Sequence, residues 1–182
     1  MRGIFISFLL LSSVYAGEHT VLASLFSKHI ENKDMHGDEF NEENYGLGYQ
    51  YSTFKGSDEV YMTLTTMVLK DSYKNNMYTA TAGLNKPILE FNKLRLSLGA
   101  EVGVAYKAIK SSNKKEVDLL AASGVTLKKK VNYAYSVIPI LLIPKITVSY
   151  AQFSVNVLYI PEAEVQSKHS DAVLWATIGY TF

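Results

Sequence analysis

The sequence predicts an all-β fold, an eight-stranded antiparallel transmembrane β-barrel, and three observations support it. In residues 94–106, an apolar set of Leu, Leu, Leu, Ala, Val, Val and Tyr alternates with Arg, Ser, Gly, Glu, Gly and Ala. Because strand side chains alternate between two faces, this apolar face suits a tilted strand crossing a bilayer in roughly 9–11 residues. A final strand ends in the aromatic Phe182, and short and long connections alternate along the chain.

Eight strands are predicted in order, at about residues 19–31, 45–54, 59–69, 77–91, 94–106, 133–149, 152–160 and 172–182. The connections at 55–58, 92–93 and 150–151 are short, whereas those at 32–44, 70–76, 108–132 and 161–170 are long and polar. Bacterial barrels have short periplasmic turns and long outer loops, so both termini are expected in the periplasm. An even strand number closes the sheet without a free edge. Eight strands leave an interior for side chains or one small ligand.

The N-terminus predicts export from the cytoplasm. Arg2, the apolar run from Ile4 to Leu11 and the small residue Ala16 are typical of a signal peptide covering residues 1–16, which leaves residues 17–182 for the barrel. The chain has no cysteine, which excludes disulfides and thiolate metal sites. Its net charge of +1 gives no indication of nucleic-acid binding. We therefore expect a monomer in the bacterial outer membrane, without metal or cofactor.

The longest connection, 108–132, is rich in lysine. One interpretation is attraction to anionic lipid head groups at the outer surface. The other is an ordinary solvated loop in which Glu116 and Asp118 partly balance the positive charge.

Three polar residues, His29, Asp71 and Ser72, are predicted to meet at the outer rim of the barrel. Asp71 and Ser72 follow the third strand, and His29 lies near the outer end of the first. A histidine can accept a proton near neutral pH, a serine hydroxyl needs such a base to react, and a carboxylate can orient the imidazole. Rim residues of this kind are also commonly just solvated, so the three residues alone leave both interpretations open.

Three segments of the chain form a pattern of their own. They are Leu-Lys-Asp-Ser-Tyr at 69–73, Val-Ile-Pro-Ile-Leu-Leu-Ile-Pro at 137–144, and Tyr-Ile-Pro at 159–161. In these segments the chain resembles the lipid A palmitoyltransferase family. The resemblance extends from His29 to Phe182, with loop 108–132 enlarged. It implies an eight-stranded outer-membrane barrel that moves a palmitoyl chain from a glycerophospholipid to lipid A. It also implies that the three rim residues are catalytic.

The resemblance implies roles for three further residues. Gly83 matches the glycine that forms the floor of the family's acyl pocket, although close strand packing or a bulge would also explain a glycine here. Pro144 and Pro161 match prolines that interrupt barrel hydrogen bonding and open a lateral route for lipid. A proline lacks the N–H that a strand ladder needs, and a lone proline can equally mark a bulge.

The chain also departs from the family's pattern. Too few residues precede His29 for the family's N-terminal amphipathic helix, so that helix is expected to be absent. The family's second proline gap is missing too, because Ser24 and Asn44 stand at the matching places. These departures affect the predicted access route of the acceptor and the attachment to the membrane.

Two alternatives compete with acyl transfer. One is a noncatalytic barrel for adhesion, surface protection or lipid binding, and the other is a lipid A deacylase, suggested only by His169 and Ser170. The interior discriminates between transfer and a noncatalytic barrel, because an acyl pocket needs an apolar upper lumen. The inward charges Arg95 and Glu101 need partners, so we expect Arg95 to join a polar plug with Lys145 or Glu101 below that pocket.

Overall fold

The computed structural model describes residues 17–30, 41–53, 60–111, 132–161, 163–165, 168–170 and 172–182. The predicted signal peptide and most of loop 108–132 lie outside these ranges. The strands are β1 (Glu18–His29), β2 (Gly46–Ser52), β3 (Tyr61–Lys70), β4 (Asn76–Phe91), β5 (Leu94–Ser111), β6 (Asn132–Tyr150), β7 (Phe153–Ile160), β8 (Ala163–Val165), β9 (Lys168–Ser170) and β10 (Val173–Thr181).

Eight of these strands form a closed antiparallel barrel in the order β1-β10-β7-β6-β5-β4-β3-β2, and β8 and β9 form a small separate hairpin. The predicted fold class is confirmed. The strand bounds agree closely with those read from the sequence, except that β5 continues to Ser111 rather than ending near Tyr106. We call the end with His29 and Lys70 the upper end and the end with Glu18 and Thr181 the lower end. Within the described ranges, no helix has the length and hydropathy required to cross a bilayer.

Inward and outward side chains alternate as the sequence predicts. Along β3, the inward Thr63, Thr65 and Met67 are buried, whereas the outward Leu64 and Val68 are about half exposed. Outward aromatic residues lie near both ends of the barrel: Tyr78, Tyr106 and Tyr135 above, and Phe91, Tyr150, Phe153, Tyr180 and Phe182 below. An apolar outer surface between two aromatic girdles suits a barrel surrounded by lipid.

The lumen has two layers of different chemistry. The upper layer is an apolar cluster of Leu22, Met67, Leu69, Ile143, Leu158 and Trp175, with Met77, Ile140 and Ile160 packed against it. The lower layer is polar, and its centre is a buried ion pair between Glu101 and Lys145. Thr81 Oγ1 donates a further hydrogen bond to Glu101 Oε2 at 2.8 Å.

The prediction that Arg95 joins a polar plug with Lys145 or Glu101 is wrong. Arg95 Nε lies 2.5 Å from Glu90 Oε1, and the two side chains are 25% and 33% exposed, so this pair lies apart from the buried pair. The physical reason is the register of the β4–β5 hairpin, in which Glu90 stands directly opposite Arg95. The polar plug itself is present, with Lys145 and Glu101 as partners of each other.

A bulge in β1 determines which side chains in the upper half of this strand face the lumen. Thr20, Leu22 and Ser24 point inward, and the register with β10 then shifts between Ser24 and Phe26. One extra residue reverses the alternation. As a result, Ser27 and His29 are buried in the lumen, whereas unbroken alternation would have placed Lys28 there.

Candidate active site at the upper rim

The structure brings His29 and Ser72 together at the upper end of the lumen. Ser72 Oγ and His29 Nε2 are 2.8 Å apart, a hydrogen-bond distance, although the two residues are 43 positions apart in the chain. His29 is only 5% exposed. This is the contact that a histidine needs in order to take a proton from a serine hydroxyl.

A tight loop after β3 positions Ser72. The strand ends at Lys70, and Asp71 Oδ1 then accepts hydrogen bonds from the backbone N–H groups of Tyr73 at 2.9 Å and Asn75 at 2.8 Å. Lys74 adopts a positive φ of 64°, which closes the turn. Aspartate is a frequent turn residue because its carboxylate accepts N–H bonds a few positions on. Because the strand ends at Lys70, the alternation of a strand no longer sends Asp71 and Ser72 to opposite faces, and both lie at the rim.

Asp71 organises the loop instead of forming a direct triad bond. Its carboxylate is buried at 4% exposure, and Oδ2 has no hydrogen-bond partner among the described residues. Desolvation by burial raises the pKa of Asp71. The backbone N–H groups of Asn75 and Tyr73 oppose that rise, as do the charges of Lys107 and Lys70. Asp71 thus acts on the site through the shape of the loop that carries Ser72.

A break in the barrel ladder lies near the two prolines that the resemblance singled out. β6 and β7 pair from Tyr150 opposite Phe153 up to Lys145 opposite Leu158, and the pairing ends there. Pro144 is the next residue of β6, faces outward and is exposed, and Pro161 directly follows β7. Above this point β6 remains paired with β5 on its other side. The prolines therefore coincide with the place where two neighbouring strands stop pairing.

Gly83 faces the lumen in the polar layer, below the apolar cluster. A Cβ atom at this position would lie 2.8 Å from Glu101 Cγ and 2.8 Å from Thr63 Oγ1. Such contacts are too short for carbon, so a glycine allows Glu101 and Thr63 to pack closely. Of the two interpretations left open by the sequence, close packing is the one with contacts to support it. The role of pocket floor stays a prediction.

The apolar upper lumen that acyl transfer requires is present, and side chains fill it. Between the apolar cluster and the polar layer lies a cavity of about 20 Å³, next to Met67, Trp175 and Glu101. That volume holds roughly one water molecule and no acyl chain. Two of the residues around this part of the lumen are methionines, Met67 and Met77, whose side chains adapt readily to new neighbours.

Sequence reasoning missed several residues that shape this site. Lys107 lies just beyond the predicted fifth strand, which ended at residue 106, yet β5 continues to Ser111 and carries it, and its charge acts on Asp71. Ser27 was not singled out, because the bulge that turns it inward cannot be read from the pattern. Asn44 was noted only as a departure from the family, although its side chain bonds both flanks of the site. In the part of the chain that the structure describes, no group of His, Asp or Glu residues is arranged to hold a metal ion.

No protein-family model and no curated protein matches this chain. Among solved structures, it is similar to the N-terminal β-barrel domain of OprF from Pseudomonas aeruginosa, with a TM-score of 0.50 and 12% identity over 91% of this chain and 99% of that chain. It is also similar to Neisserial surface protein A, with a TM-score of 0.51 and 13% identity over 91% of this chain and 96% of that one. At such low identity the likeness concerns the fold, a closed antiparallel barrel of eight strands.

Proposed function

We propose that this protein is an outer-membrane acyltransferase that moves a palmitoyl or similar chain from a glycerophospholipid to lipid A. The observation that carries the proposal is the 2.8 Å contact between Ser72 Oγ and His29 Nε2 at the rim of the lumen. A noncatalytic barrel has no need for a bulge in one strand and a carboxylate-ordered loop on another that together make this contact. The resemblance of the rim and proline segments to a transferase family supports the same reaction.

In this proposal the acyl donor enters from the membrane between β6 and β7. The ladder between these strands ends beside Pro144, and an exposed apolar surface surrounds it. The acyl chain then descends into the apolar cluster toward Gly83. Because the cavity has room for about one water molecule, the acyl chain must displace side chains of the cluster, and Met67 and Met77 are suited to that movement.

The chemistry requires one proton carrier and one attacking hydroxyl. The attacking oxygen bonds to the acyl carbonyl carbon and gives its proton to His29 Nε2. The ester C–O bond to the donor breaks, and the released donor oxygen takes that proton. In a covalent route the attacking hydroxyl belongs to Ser72 and a second transfer passes the acyl group to lipid A. In a direct route the hydroxyl belongs to lipid A and Ser72 donates a hydrogen bond.

Transfer of labelled palmitate from phospholipid to lipid A by the purified barrel tests the proposal. Ser72→Ala and His29→Ala should each lower the rate by about 100-fold or more, since general acid–base catalysis contributes roughly 10²–10⁴-fold. Ser97→Ala is the matched control, because Ser97 is a buried serine of the lower lumen. Full transfer by either rim variant would show that the assigned roles are wrong.

A noncatalytic barrel is the second candidate, and the filled lumen favours it. Mass spectrometry of lipid A from cells with and without the protein separates the candidates. One added acyl chain supports transfer, and no change supports a noncatalytic role in adhesion, protection or lipid binding. One lost chain supports the deacylase, whose suggested residues His169 and Ser170 fall in the short strand β9.

A further inference from the structure

The chain between β1 and β2 returns to the candidate site just before β2 begins. The regular pairing of the two strands stops at Ser24 opposite Gly46. Beyond it, Ser27 N donates to Glu42 O at 3.0 Å, and Asn41 N donates to Ser72 O at 2.8 Å. The segment 41–44 therefore lies between the part of β1 that carries His29 and the loop that carries Ser72.

Asn44 is the residue of this segment that bonds to both sides. It is 4% exposed. Its Oδ1 accepts a hydrogen bond from Ser27 Oγ at 2.7 Å, and its Nδ2 donates one to Lys70 O at 2.9 Å. Ser27 lies two residues before His29, and Lys70 lies two residues before Ser72. One buried amide thus links equivalent points on the two chain segments that carry the reacting pair.

We propose that Asn44 is a positioning residue that sets the distance between His29 and Ser72 by tying Ser27 to Lys70. The inference rests on the proposed acyl transfer for its catalytic meaning. Its structural content, that Asn44 holds the two side chains together, does not depend on which reaction they perform.

The physical reason lies in where the ladder between β1 and β2 ends. Beyond Ser24 the upper end of β1 has no regular ladder with β2, so on that side this end of the strand is held by single contacts such as Ser27 N to Glu42 O and Ser27 Oγ to Asn44 Oδ1. A side-chain amide can replace that ladder because it supplies one acceptor and one donor in a fixed geometry. A displacement of about 1 Å between reacting groups can cost roughly 100-fold in rate, so a link of this kind is catalytically significant.

The first experiment compares Asn44→Ala with Asn156→Ala in the transfer assay. Asn156 is the matched control, because it is also 4% exposed and also makes two side-chain bonds. It accepts from Thr147 Oγ1 at 2.8 Å and donates to Thr177 Oγ1 at 3.1 Å, in the polar layer. We expect Asn44→Ala to lower kcat by roughly 10–100-fold with little change in KM, and Asn156→Ala to leave kcat unchanged.

Ser27→Ala and the double variant test whether the effect passes through this link. If Ser27 and Asn44 act as one unit, the double variant should lose no more activity than Asn44→Ala alone. Ser27→Thr, which keeps the hydroxyl, should retain activity. Additive losses, or wild-type kcat in a folded Asn44→Ala barrel, would refute the positioning role.

A measurement that does not depend on activity tests the positioning role of Asn44 separately from the proposed acyl transfer. In ¹⁵N NMR of the folded barrel, the Nε2 signal of His29, assigned by its absence in His29→Gln, should change in Ser72→Ala. Asn44→Ala and the milder Asn44→Asp, which keeps only the acceptor, should change the same signal, and Asn156→Ala should not. An inactive wild-type protein with these shifts would overturn the transferase and leave the inference standing. An unmoved His29 signal in both Asn44 variants would overturn the inference.

Discussion

The upper and lower halves of the lumen differ in what holds them together. The upper half is packed with Leu, Ile, Met and Trp side chains. The lower half is a hydrogen-bonded layer around Glu101 and Lys145. Dispersion contacts and the burial of apolar surface stabilise the upper half, and packing of this kind tolerates rearrangement by adaptable side chains. The lower half depends on paired charges and polar groups, which are costly to separate in a low-dielectric interior.

Because of this difference, we expect the lower half to determine stability and the upper end to determine activity. The candidate site lies at the upper end, above the apolar layer. The polar layer closes the lumen below it. Substitutions in the lower half should therefore change the free energy of unfolding with the site intact, and substitutions at the rim should change activity with the barrel intact.

The largest expected effect is the loss of the buried ion pair. Glu101→Ala leaves Lys145 charged and buried without its partner, so the free energy of unfolding should fall by about 3–5 kcal/mol. Urea unfolding monitored by the fluorescence of Trp175, the single tryptophan, measures it. Glu90→Ala is the control, since its pair with Arg95 is partly exposed and should be worth at most about 1 kcal/mol. Equal losses in the two variants would contradict the distinction between the halves.

A smaller effect is expected at Gly83. Gly83→Ala forces a Cβ against Glu101 and Thr63, so it should lower the free energy of unfolding by about 1–3 kcal/mol. The same variant separates the two interpretations of this glycine. Lost stability with an unchanged length of the transferred chain supports close packing. Unchanged stability with a shorter transferred chain would instead support the pocket floor.

The smallest effect is the pH dependence from Asp71. Burial raises its pKa in the folded protein above 3.8, so the folded state holds this proton more tightly than the unfolded chain. The contribution of Asp71 to stability is then fully present below pH 3.8 and is lost as the pH rises through the folded pKa. Asp71→Asn keeps the acceptor for Tyr73 and Asn75 and removes the titration. We expect the variant to gain stability relative to wild type between pH 3.8 and neutrality, measured by urea midpoints. A difference independent of pH would contradict this.

The sequence predicted the barrel because alternation and connection length are local properties. Eight strands, their order and, outside the upper half of β1, their inward faces followed from period-two patterns. The partner of Arg95 was also within reach, because the short turn at 92–93 places residue 90 opposite residue 95. The register of this hairpin places Glu90 beside Arg95, and this local pairing takes precedence over the general expectation that inward charges gather in one plug.

The candidate site was only partly predictable. His29, Asp71 and Ser72 were found by their residue types and by resemblance, but the pattern alone gave no reason for His29 to face inward. That orientation depends on how β1 pairs with β10, a contact between the two ends of the chain. The role of Asn44 depends in turn on a connection that folds back onto two strands, and no local pattern encodes such a contact.

The bulge in β1 has a genetic consequence. Removal of one residue, Leu25, would restore unbroken alternation and leave Ser27 and His29 facing the lumen, because Leu25 and Phe26 are the two neighbours that both face outward at the bulge. All the rim residues would still be present in the chain, and the lower half of the barrel would be unaltered. A second single-codon deletion, of Phe26 in addition to Leu25, would place Lys28 in the lumen and turn His29 toward the membrane, while the chain keeps the same motifs. In comparing sequences of this kind, the number of residues between Ser24 and His29 is as informative as the histidine itself.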